Sequence, residues 1–223
     1  MVRRVEGREP SALTLVVVTF LLGIAAATIA IWINGFIAYL VDPSVPTSFD
    51  YFLFGDQGPS LMSGVLAGPV EETLKFFLLY EVVYHRKEFK SIRHGVIYAI
   101  ICALGFSFVE NTIYFINAAV DGDTLTLLAI GVVRAIGSTL IHVGAAVLVG
   151  WFVGMSKWAV RPRRVYIYVG LLCAIAFHSL SNYLIYVTPF GIIIVAGMAA
   201  LIVAYVFKRI HLERMSTVPR TAL

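Results

Sequence analysis

Glu71, Glu72, Glu110, His142 and His178 are acids and imidazoles set inside long apolar runs. A charge at the centre of a membrane helix costs at least ~2.5 kcal/mol on insertion scales. Such groups persist where they face one another around a polar task. Carboxylates and imidazoles are proton donors and acceptors, and they are also ligands for a divalent metal. The same residue types build proton relays. The set therefore points to a buried catalytic or ion-handling centre.

The elements that must hold these groups are membrane helices. Of the 223 residues, 60% are hydrophobic and only 13% charged, with a mean hydropathy of +0.89. A soluble domain carries roughly 25% charged residues. Six apolar segments of the length a spanning helix needs can be drawn, at 13–40, 60–84, 95–118, 125–155, 165–187 and 190–207. The chain reads as one membrane domain over 1–223, all-α, a polytopic bundle of about six transmembrane helices with the candidate core at 60–187. The first and fourth segments are longer than a span requires. Tilt would absorb the excess, as would a short surface helix before Gly131. The first segment is too long for a signal-peptide core and is read as retained.

The basic residues report topology. All but two of the 17 Lys and Arg residues fall at the N-terminus, in the second-to-third and fourth-to-fifth connections, and at the C-terminus. The opposite connections carry Asp42, Asp50, Asp56, Asp121 and Asp123. The positive-inside rule places both termini in the cytoplasm. Tyr and Trp residues near the segment ends mark the interfaces with the lipid bilayer. The charge of +4 is spent on orientation, so no nucleic-acid surface is expected. Cys102 and Cys173 lie inside spans and read as small core residues, with no CxxC motif. The stretch 42–60, with three prolines, is the one sizeable outer loop and a candidate gate.

Counting residues inward from the outer ends puts Glu71, Glu72, Glu110 and His178 ~12–17 Å below the outer surface. His142 reaches the same level if its span starts near Ile130. Around Glu71 and Glu72 the chain reads Pro69-Val70-Glu71-Glu72-Thr73-Leu74-Lys75. Pro69 frees a backbone carbonyl just before the carboxylates and can kink the helix. Lys75 lies four residues after Glu71 and three after Glu72, so it can pair with either. The two glutamates point about 100° apart, so they serve different ends. Gly64 and Gly68 form a GxxxG face for close helix approach. Asn111 adjoins Glu110, and Asn182 follows His178 by one turn on the same face. Arg134 lies within a span near its outer end, where it can snorkel or pair with a glutamate.

Glu71-Glu72-x-x-Lys75, then Phe106-x-x-x-Glu110-Asn111, then the lone His142, then His178-x-x-x-Asn182 resemble the ordered motifs of PrsW-type intramembrane metalloproteases. That group is similar to the CAAX prenyl endopeptidases and their bacterial relatives. The motifs cover residues 71–182. Each is weak alone, and their order on separate spans is what makes them specific. The third position is Glu110 where prenyl endopeptidases usually have His, which makes isoprenylcysteine substrates less expected. The resemblance implies proteolysis of a single-pass membrane protein, such as a membrane-anchored anti-sigma factor in bacteria.

Two His and one Glu suit Zn²⁺ with one coordination position left open. The expected assignment is Glu110, His142 and His178 as metal ligands and Glu71 as general base. Glu72 orients or neutralises with Lys75, and Asn182 donates to the oxyanion. Lys75, Asn111 and Arg134 are supporting residues. The roles of Glu71 and Glu72 are interchangeable at this stage. A metal-free mechanism, with a glutamate–histidine pair activating water, also satisfies the residues. A proton- or cation-coupled transporter is the rival from another class. Six spans are few for it, and no inverted repeat is visible.

Overall fold

The computed structural model describes residues 12–41, 61–121, 124–157 and 162–217; within them, the side chains at 12, 41, 61–64, 114, 117–131, 133, 134 and 213–217 are outside the described set. The candidate gate at 42–60 and the Arg134 side chain are thus outside the described residues. All regular structure among those described is helical: α1 (Ala12–Val41), α2 (Leu61–Leu79), α3 (Ile92–Asp121), α4 (Thr124–Ser156), α5 (Arg163–Val187) and α6 (Gly191–Thr217). A π-helical turn, Tyr80–Tyr84, continues α2. Five of the six helices are long and apolar enough to cross a membrane, by length and composition. The sixth, α2, is the one that carries Glu71, Glu72 and Lys75.

Two boundaries differ from the sequence reading in an informative way. α4 is one continuous helix of 33 residues, with no separate surface helix before Gly131. α6 runs about ten residues beyond its apolar segment, through Lys208, Arg209, Leu212 and Glu213. Apolarity stops at the membrane edge, but helix propensity does not, and these are good helix formers.

The helices pack through small residues, as expected where lipid offers no hydrophobic drive between them. Ala26, Ala27 and Ala30 of α1 are buried against Phe106 of α3 and the side chains of Val70, Leu74 and Leu78 on α2. α3 lies on α4 where Gly95 meets Gly150 and Gly154; a Cβ at Gly95 would collide with the Gly150 carbonyl. The largest cluster of buried side chains joins Leu79, Val83, Tyr98, Cys102, Val149 and Phe177. Large apolar side chains such as Leu21, Phe36, Leu172 and Leu201 face outward, where lipid would cover them.

The contact between α2 and α5 follows from Pro69. Proline has no N–H, so the carbonyl of Val65, four residues earlier, loses its helical donor. Ser179 Oγ of α5 donates to that carbonyl at 2.8 Å. Gly68 makes the approach possible, since a Cβ there would run into Ser179 Oγ. An unsatisfied carbonyl in a dry interior is thereby turned into an interhelical bond. It fixes α5 against α2 one residue from His178.

Candidate active site

Four helices bring their ionisable side chains together. α2 supplies Glu71, Glu72 and Lys75, α3 supplies Glu110, α4 His142 and α5 His178. All but Glu110 are buried, and Glu110 has a side chain 23% exposed.

The two adjacent glutamates take different partners, as their angular separation requires. Glu72 Oε1 accepts from Lys75 Nζ at 2.5 Å and from His178 Nδ1 at 2.7 Å. The Nδ1–H of His178 is thus committed to a carboxylate, which fixes the tautomer and leaves the Nε2 lone pair available. Nε2 stands 3.7 Å from Glu71 Oε2. Glu71 Oε1 accepts from Asn34 Nδ2 of α1 at 3.1 Å, while its Oε2 is buried with no hydrogen-bond partner.

His142 is held at both nitrogens. Nδ1 lies 2.9 Å from Lys75 Nζ, and Nε2 lies 2.6 Å from Glu110 Oε2. With Lys75 as an ammonium, Nδ1 accepts and Nε2–H donates to the carboxylate. Ser138 Oγ donates to the same Glu110 oxygen at 2.7 Å. The His142 and His178 rings meet edge to face, with centroids 5.1 Å apart. Phe106 packs on the other side of His142, and the Lys75 ammonium lies 4.5 Å from the Phe106 ring centre. Aromatic walls exclude water and strengthen every electrostatic contact inside.

One compact grouping of metal-ligating atoms exists among the described residues. One atom each from Glu71, His142 and His178 lie within 4.8 Å of one another. Glu110 is outside that grouping and tied to His142. Asn111 stands one turn into the same wall: its Nδ2 donates to Ser107 Oγ at 3.1 Å and Thr139 Oγ1 at 3.3 Å. Asn182 is half-buried, one turn along α5 from His178.

The sequence reading did not single out Asn34 or Ser138. An amide in the otherwise apolar α1 was the available signal for Asn34. Ser138 precedes His142 by four residues, hence lies on its face, but serine is too common in membrane helices to stand out.

The donor set suits a divalent cation. A buried carboxylate oxygen without a hydrogen bond is costly, and Glu71 Oε2 is such an oxygen. It faces an imidazole nitrogen whose ring is already held by a second carboxylate, the arrangement usual for metal-bound histidine.

The comparisons with known proteins agree with the motif pattern. A family model described as PrsW family intramembrane metalloprotease matches residues 11–208. The Protease PrsW of Geobacillus kaustophilus is 29% identical over 148 residues, covering 63% of this chain and 60% of that protein. The Protease PrsW of Halalkalibacterium halodurans is 30% identical over 128 residues, 56% of this chain and 54% of the relative. That of Bacillus subtilis is 28% identical over 142 residues, 60% and 62% respectively. The chain thus spans less than two thirds of the length of each of these relatives. No solved structure matches it.

Proposed function

Since this chain belongs to the PrsW family of intramembrane metalloproteases, we propose that it is a multi-pass membrane endopeptidase that hydrolyses a peptide bond of a single-pass membrane protein. The observation that carries the reading is the convergence of three carboxylates and two imidazoles from four helices on one buried centre. The cut falls within or near the outer half of the bilayer, with both termini in the cytoplasm, on the argument from basic connections. A membrane-anchored anti-sigma factor fits the substrate class.

Glu71, His142 and His178 are the residues that would hold the metal, zinc by the chemistry of two imidazoles and a carboxylate. When bound, the metal polarises a carbonyl and acidifies water. This exchanges the roles first expected of Glu71 and Glu110. Two features support the exchange. Glu71 Oε2 is buried and unpartnered, as a ligand oxygen awaiting a cation would be. Glu110 is the more exposed carboxylate, where water and a peptide can reach it.

The chain's own residues then divide the work. Glu110 takes the proton of the attacking water and returns it to the departing amine. Glu72, charge-paired with Lys75, orients His178 through Nδ1. Asn34 steadies Glu71. Ser138 donates to the same Glu110 oxygen that His142 contacts and helps to hold that carboxylate in place. Asn182 donates to the oxyanion. A metal-independent reading is favoured by one observation: both His142 nitrogens already have hydrogen-bond partners. In that version Glu110 and His142 activate water as a pair.

Co-expression with a library of tagged single-pass membrane proteins tests the activity. Cleavage of at least one tagged protein is expected with the native chain and is expected to vanish with Glu71→Gln. An identical fragment pattern from both would reject the enzyme.

A further inference from the structure

A cavity of about 450 Å³ opens at the basic end of the bundle, lined by Tyr80, Tyr84, His85, Lys157 and Arg163. Its size is in the range of small-molecule sites, about 300–1,000 Å³. Three elements build it: the π-helical turn after α2, the residue that follows α4, and the first residue of α5. It is remote from the catalytic centre, since Tyr84 lies ~18 Å beyond Glu72 at the rise of a helix.

The walls are fixed rather than floppy. Lys157 Nζ donates to the Tyr84 carbonyl at 2.5 Å and to the Arg86 carbonyl at 3.4 Å, and lies over the rings of Tyr84 and Phe89. Tyr84 Oη and Ser156 Oγ are 3.0 Å apart and share a hydrogen bond. Tyr80 stacks on Tyr84 at 4.7 Å, a pairing set by the π turn, and His85 meets both rings edge-on.

The charge inside is uncompensated. Among the described residues, the lining has two cations and a histidine but no acid. Burial, and then the charge of Arg163, hold the Lys157 ammonium below the ordinary lysine range. Arg163 opens α5, whose preceding residue, Pro162, gives no side-chain cap. The positive end of the helix therefore adds to the same field.

We propose that this cavity binds a phosphate group, that of an anionic phospholipid headgroup. Two features favour a lipid over free phosphate. The cavity sits where the apolar stretches of α4 and α5 end, at Ser156 and Arg163, which is headgroup level in a bilayer. From Arg163, the exposed side chains of Val165, Tyr168 and Leu172 run along one side of α5 and offer an acyl chain an apolar track.

The test is native mass spectrometry of the full chain in detergent, titrated with phosphatidylglycerol, phosphatidylcholine or inorganic phosphate. Phosphatidylglycerol should be retained on the native chain in preference to phosphatidylcholine. Its affinity should fall at least about fivefold in Arg163→Gln and stay unchanged in Arg209→Gln, which removes the same charge elsewhere. His85→Gln, at an exposed ring, should weaken it as well and serves if Arg163→Gln does not fold. Equal weakening by Arg163→Gln and Arg209→Gln would mean diffuse attraction and overturn the site. Equal retention of phosphatidylcholine would overturn it too. Arg163-dependent binding of inorganic phosphate without phosphatidylglycerol would overturn the lipid assignment.

Discussion

Glu110→Gln is expected to lower the cleavage rate about 10²- to 10⁴-fold, the usual contribution of a positioned general base, while leaving metal content unchanged. Glutamine keeps the shape and can still accept from Ser138 Oγ and His142 Nε2. What it cannot do is take a proton. A structural role would therefore survive the change and a proton-accepting role would not. Single-turnover cleavage of an identified substrate, with metal content measured on the same sample, separates the two. Loss of metal together with activity would return Glu110 to the ligand set and Glu71 to the role of base. Unchanged cleavage would remove Glu110 from the chemistry.

Lys75→Met is expected to destabilise the bundle by about 3–5 kcal/mol, the cost of breaking a buried ion pair from one side. The Lys75 and Glu72 side chains are 7% and 2% exposed, so water cannot take over the lost contact. Lys75 also reaches His142 Nδ1, so its loss frees a second buried group. Methionine nearly preserves the volume, which confines the effect to charge and hydrogen bonding. Thermal unfolding in detergent should show a large downward shift. Adding Glu72→Gln should recover most of it, because the amide oxygen still accepts from His178 Nδ1 and the charge left behind by the broken pair is removed. No recovery in the double variant would mean that packing, not the ion pair, was lost.

Different parts of this structure were legible for different reasons. The apolar segments were visible because a membrane helix must be apolar along its length. The Pro69 effect was half visible. The sequence showed that a carbonyl would be freed, but only the packing of α5 showed Ser179 as its donor. The same limit applies around Glu71 and Glu72. Helical geometry required that they part ways and that Lys75 could take either one. Which of them it takes is settled by the rotation of α2 against α4 and α5, which no local pattern encodes. Asn34 lies 37 positions from its partner Glu71 on a different helix. The π turn at Tyr80–Tyr84 left no periodic trace in a run of five residues, too short to show a change of helical period.

Elemental analysis of protein purified without chelators bears most directly on the claim that Glu71, His142 and His178 form one ligand set. The native chain is expected to carry roughly one zinc ion per molecule, and Glu71→Ala and His178→Ala are each expected to carry almost none. A native chain that cleaves substrate with no stoichiometric metal, or variants that hold as much metal as the native chain, would contradict it.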